Sequence, residues 1–143
     1  MFSKEESKKI RQEFWTTFGK EYPKKWLLYN TKIKDVSLKF TFDTKKAQVS
    51  IDIEPIDDIM RSYYYDKLLS LRNIVKNDYL PEIIFDENYV LDNGKLVSRV
   101  YVELDDKVSI HNKNTWERTM HFLNDKMTVL ESFFLEYKDF IKD

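Results

Sequence analysis

Apolar and polar positions alternate most clearly over residues 36–53. Val36, Leu38, Phe40 and Phe42 alternate with polar side chains, and so do Ala47, Val49, Ile51 and Ile53. A period of two marks a half-buried strand. A turn at Thr44-Lys45 pairs residues whose numbers sum to 89, so Phe40 faces Val49, Leu38 faces Ile51 and Val36 faces Ile53. Every apolar side chain then lies on one side of the hairpin. A slip of one residue would send the whole set to the other side, so the register supports itself. Ser37, Lys39, Thr41, Ser50, Asp52 and Glu54 share the opposite face.

Elsewhere the period is helical. Ser3 and Glu6 have capping-box spacing, and Ile10, Phe14, Phe18 and Tyr22 follow at intervals of four, with Trp15 beside them. This predicts a helix over about 4–21, ended by Pro23. The short apolar run 26–30, WLLYN, predicts a strand. Pro55 breaks the first hairpin, and a helix is predicted over 57–76. On its wheel Ile59, Met60, Tyr63, Tyr64, Leu68, Leu71, Ile74 and Val75 form the apolar half, which turns Tyr65, Arg61 and Arg72 outward. Asn93-Gly94 between alternating runs signals a second hairpin, with Leu91 opposite Leu96 and Phe85 opposite Val102. Val108-Ser109-Ile110 is a candidate short strand. Asn114 and Glu117 have cap-like spacing before a helix to about 141. Its stripe of Trp116, Met120, Leu123, Met127, Leu130, Phe134, Tyr137 and Ile141 is widened by Phe122, Val129, Phe133 and Phe140.

The order α-βββ-α-ββ(β)-α predicts one α+β domain over 1–143. Its antiparallel sheet has five to six strands in two hairpin units, packed on one face by three helices. Five strands span about 24 Å, whereas the last helix is about 40 Å long. That helix must cross the sheet diagonally, pack on other helices or overhang. Its broad apolar flank of Phe122, Val129, Phe133 and Phe140 leaves two arrangements open: a symmetric homodimer through that flank, or a monomer whose helices cover one another.

Composition narrows the chemistry. The chain of 143 residues is 42% apolar and 15% aromatic, enough to bury a core without staples. It has no cysteine, hence no disulfide or thiolate site, which suits a reducing cytoplasm. No run approaches a membrane span. Charge nearly cancels at −1, but residues 1–34 hold nine Lys/Arg against four Asp/Glu. A solvated helix face accounts for this; any nucleic-acid contact would be weak and would run through Lys8, Lys9, Lys20, Lys24 and Lys25.

No catalytic signature is present. The only glycines, Gly19 and Gly94, exclude a Walker loop and a dinucleotide fingerprint. The element order of the first half matches the core of PD-(D/E)xK nucleases, whose carboxylates hold Mg²⁺ while a lysine positions water. Asp35 or Asp43, then Asp52 and Glu54, are the candidates for that role. The lysine position is occupied by Glu54 when counted from Asp52, and by Ile56 when counted from Glu54. Asp52 is expected to face water near Lys39 as an ordinary cross-strand partner. Glu117, His121 and Asp125 lie at intervals of four on the polar side of the last helix, a solvated arrangement. No cofactor or metal is expected. Arg61, Tyr65 and Arg72 form a candidate aromatic-cationic patch for a protein partner.

The stretches RQEFWTTF, YYDKLLSLRNIV, SRVYVEL and NTWERTMHFLNDKMTVLESFF resemble the bacterial domain of unknown function 4268, over most of the chain. In that family the module often follows a nuclease-like domain; here a stand-alone module is expected. The resemblance implies a fold and no activity. It points to a non-enzymatic interaction module, an accessory in a nucleic-acid or defence context, with an unknown protein partner. A degenerate PD-(D/E)xK-like nuclease is the alternative.

Overall fold

The computed structural model describes residues 2–54 and 57–143. The elements are α1 (Lys4–Glu21), β1 (Val36–Phe42), β2 (Ala47–Ile53), α2 (Asp58–Ser70), α3 (Arg72–Asp78), β3 (Ile84–Val90), β4 (Leu96–Glu103) and α4 (Trp116–Lys142). A 3₁₀ turn over Lys113–Thr115 leads into α4. Among the described residues one antiparallel sheet has four strands, in the order β1-β2-β4-β3. The α+β class stands, with four strands for the expected five to six and four α-helices for three. Pro55, assigned to the strand break, lies outside the described residues. No described helix is long and apolar enough to cross a membrane.

The first hairpin has the predicted register, Val36 with Ile53 through Phe42 with Ala47. β2 is interior, with β1 and β4 on its two sides, and all seven of its residues are buried. The second hairpin differs. Its loop is Asp92-Asn93-Gly94, closed by Gly94 N–H to Leu91 O at 2.8 Å, with Gly94 at φ 85°. This three-residue loop with a left-handed glycine replaces the two-residue turn that Asn-Gly suggests. Val90 therefore faces Leu96, and a bulge between Asp86 and Tyr89 shifts the strand again, so Phe85 faces Val100 rather than Val102.

Two expected strands are loops. Over 26–30 the chain turns: Leu28 takes left-handed backbone (φ 47°), as Lys32 and Asp35 do just beyond (φ 64° and 65°), a conformation no strand accommodates. The buried Thr31 hydroxyl organises this loop, donating to Val36 O at 2.6 Å and accepting from Ile33 N–H at 3.2 Å. Val108 and Ile110 enter the core from an irregular segment, where Ile110 N–H reaches Asp43 O at 3.0 Å.

The capping box at Ser3 and Glu6 is present. At α4 the cap-like reading of Asn114 fails: Asn112 instead caps the 3₁₀ turn, accepting from Asn114 N–H at 3.1 Å. α4 packs on β2 and buries its whole stripe except the half-buried Tyr137. The flank expected to seat a second copy is largely interior. Phe133 and Phe122 are buried, Val129 is half-buried, and only Phe140 is exposed. The predicted helix over 57–76 breaks at Leu71, and the segment beyond it lays Tyr79 edge-on against Phe133, ring centroids 5.3 Å apart.

The expected apolar face holds at its C-terminal end, where Leu68, Leu71 and Val75 are buried, and fails over the first turns of α2. Its buried face is Arg61, Tyr65 and Leu68, at intervals of four and three, while Ile59, Met60 and Tyr63 are exposed. Arg61 donates to Glu87 O at 2.6 Å and Ser98 Oγ at 2.9 Å. The carbonyl freed by the β3 bulge thus finds its donor in Arg61.

Candidate functional site

The sheet face away from the helices carries Ser37, Lys39 and Thr41 of β1, Gln48, Ser50 and Asp52 of β2, and Val97, Arg99 and Tyr101 of β4. Register sets Asp52 directly opposite Arg99. Arg99 donates from Nε to Oδ1 and from Nη2 to Oδ2 of Asp52, both at 2.8 Å, and from Nη1 to Gln48 Oε1 at 2.8 Å. Its guanidinium lies 4.4 Å from the Tyr89 ring centroid. Gln48 Nε2 donates in turn to Tyr89 Oη at 3.2 Å and Glu103 Oε1 at 2.7 Å. Asp52 is 0% exposed and Arg99 2%. Burial alone would lower the Arg99 pKa; the hydrogen bonds and charge of Asp52, with Tyr89, raise it. Asp52 therefore does not face water beside Lys39. Its partner lies 47 residues further along the chain, so local sequence carries no sign of the pair.

A cleft of about 430 Å³ lies beside this network. The tip of the second hairpin, Leu91–Asn93, reaches across the open face toward Lys39, Thr41, Asp43 and Lys46, with Tyr89 and Arg99 between and Trp15 at the rim. Lys46 pairs with Asp43 at 3.3 Å. Partial burial raises the Asp43 pKa, but the Lys45 and Lys46 amides and the Lys46 ammonium outweigh it and hold the carboxyl below its ordinary value. Lys39 makes no ion pair among the described residues. The lining thus sets Lys39 and Lys46 beside Asp43 and Asp92, with Asn93 and the rings of Trp15, Phe40, Phe42 and Tyr89.

The nuclease candidates separate. Asp35 and Glu54 line a second cleft of about 460 Å³ with Lys34, Lys95 and Tyr29. Glu54 Oε2 is held by Lys95 at 3.1 Å. Asp52 is absent from that lining, closed into its pair with Arg99. Among the described residues no three His, Asp or Glu side chains are grouped to hold a metal ion.

The remaining candidates scatter. Tyr65, expected outside, is 6% exposed, and burial raises the pKa of its phenol. Arg61 is buried beneath α2, and Arg72 alone of that trio is exposed. The actual surface group there is Tyr63, 41% exposed, with Lys67 Nζ 4.9 Å from its ring and 5.3 Å from that of Phe140. Lys8, Lys9, Lys20 and Lys25 are exposed, while Lys24 bonds Thr128 Oγ1 at 3.2 Å and lies 4.4 Å from the Trp26 ring. His121 meets Tyr22 Oη at 3.0 Å.

Residues 10–138 match the family model described as Domain of unknown function (DUF4268). No curated protein and no solved structure matches the chain.

Proposed function

The chain belongs to the DUF4268 family, and on that premise we propose that it is a non-catalytic interaction module. The observation that carries this reading is the bidentate Arg99–Asp52 pair. The acid placed best for chemistry on the sheet is engaged through both oxygens inside the structure. A buried pair of this kind fixes strand partners, and it holds both Asp52 oxygens against a guanidinium at a point closed to solvent. Nearby, Lys39, Lys46, Asp43, Asp92, Tyr89, Asn93 and Trp15 line one cleft, a set suited to contact.

A second reading, the degenerate metal-dependent nuclease, is favoured by one observation, the cleft that joins Asp35 and Glu54 with Lys95. Incubation of the pure protein with Mg²⁺ or Mn²⁺ and plasmid, single-stranded DNA or RNA separates the two. The interaction module leaves all three intact. Cleavage that is abolished by Glu54→Gln or Asp35→Asn would overturn it.

A further inference from the structure

β1 is an outer strand of the sheet. Its pairing with β2 is fixed at the two ends by Asp43 N–H to Lys46 O at 3.0 Å and Glu54 N–H to Asp35 O at 2.8 Å. By antiparallel alternation the odd-numbered residues of β1 bond to β2 and the even-numbered ones aim outward. Part of that outer edge is covered by the chain itself. Val36 N–H reaches Ile33 O at 3.2 Å and Leu38 N–H reaches Leu28 O at 3.0 Å. The cover is the loop with left-handed backbone at Leu28, Lys32 and Asp35, and it stops at Leu38. Beyond it, the Leu38 carbonyl and the outward N–H and C=O groups of Phe40 and Phe42 find no hydrogen-bond partner among the described residues.

The open stretch is grooved on both sides of the strand. The 430 Å³ cleft and a smaller groove of about 200 Å³ share Trp15, Lys39 and Phe40. Leu28, Tyr29 and Leu38 complete the smaller groove, and Tyr29 is 80% exposed. Trp26 and Trp15 stand against Phe40, ring centroids 5.3 and 6.0 Å away. β3, the other outer strand, is unsuited to the same use. Its bulge interrupts the ladder, and its Glu87 carbonyl is taken by Arg61 and Ser98. Bulges protect edges in this way; the open part of β1 has none.

Resting on the interaction-module reading, we infer that this edge binds an extended acidic segment of another protein as a fifth strand beside β1. The unpartnered groups of Phe40 and Phe42 supply the main-chain bonds of strand addition. Pleating then alternates the side chains of the segment. One set falls on the open face toward Lys39 and Lys46, and the other falls toward Trp15, Leu28 and Phe40. The sign of the ligand follows from the surroundings. Lys39, which makes no ion pair among the described residues, lines both grooves; in the larger one Lys46 is matched by Asp43 and Arg99 by Asp52, and Asp92 lies across at the tip of the second hairpin. Residues 22–35, whose Leu28 and Ile33 bond to β1, add Lys24, Lys25, Lys32 and Lys34 against the single acid Asp35. The matching sequence alternates Asp or Glu with Val, Ile or an aromatic residue.

A display library of random heptapeptides, panned on the whole chain, provides the probe. Synthetic versions of the enriched peptides are then titrated by amide NMR. Enrichment of alternating acidic-apolar sequences is expected, with slowed exchange and shifts at Phe40 and Phe42. Backbone N-methylation of the peptide should abolish binding, and Lys39→Glu should weaken it by about tenfold. Absence of enrichment, or enrichment of basic peptides, would overturn the inference. So would shifts centred elsewhere, which would defeat strand addition while leaving a binding module; nuclease activity would defeat the module itself. Protection of Phe40 and Phe42 that rises with protein concentration alone would assign the edge to a second copy of this chain. The same protection induced by single-stranded DNA or RNA would assign it to nucleic acid. Either result would overturn the inference.

Discussion

Replacing Asp52 with alanine leaves Arg99 charged and without a counter-charge, since a guanidinium does not deprotonate in proteins. Arg99 is 2% exposed and makes two of its three hydrogen bonds to Asp52. Removing one member of such a buried pair costs about 3–5 kcal/mol. Against a typical total of about 5–15 kcal/mol, that is enough to bring the variant close to unfolding. Urea denaturation followed by far-ultraviolet circular dichroism measures it. With a slope of about 2 kcal/mol per molar urea, the midpoint should fall by roughly 1.5–2.5 M. The double variant Asp52→Leu/Arg99→Met removes both charges and should recover most of the loss, because paired replacement by apolar residues is often neutral or stabilising. Full recovery is not expected, since Gln48 Oε1 loses its donor, worth about 1–3 kcal/mol when buried. A loss under about 1 kcal/mol for Asp52→Ala, or a double variant weaker than the single one, would refute the structural role.

Further outcomes follow from the same packing. Phe133→Ala should cost about 3–5 kcal/mol as a core truncation, whereas Phe140→Asp should stay within about 0.5 kcal/mol; urea melts of both check whether the α4 flank is core. The Asp43 pKa is depressed in the folded state, so the unfolded chain binds that proton more readily. Its stabilisation is complete above the unfolded value of about 3.9 and is lost as pH falls through the lower folded value. Asp43→Asn should therefore flatten the acid limb of a stability-against-pH curve below about pH 4. Binding of a labelled oligonucleotide, read by fluorescence anisotropy, should be weak, should fall steeply with salt and should drop in Lys8→Glu/Lys9→Glu. Tight, salt-insensitive binding would contradict it.

The first hairpin was legible because its period of two and its short turn fix one register and leave no alternative. The second was half legible. Asn93-Gly94 located the turn, but the extra loop residue and the bulge at Asp86–Tyr89 each moved the pairing, and no residue type announces either. α2 misled because apolar residues lie all round it, so the larger apolar half looked like the core. The true face includes Arg61, which is buried only because a bulged carbonyl waits for it. Asp52 was legible as an unusual acid on a strand. Its role depends on the adjacency of β2 and β4, a contact of 47 residues' separation that no local pattern encodes.

Titration of the isotope-labelled protein with Mn²⁺ tests most directly whether Asp52 is structure rather than chemistry. A bound paramagnetic ion broadens the resonances of its ligands at substoichiometric concentration. The account predicts that the signals of Asp35, Asp52, Glu54 and the Arg99 Nε–H keep their widths, with the Arg99 proton slow to exchange. Selective broadening centred on Asp52 and Glu54 would contradict it.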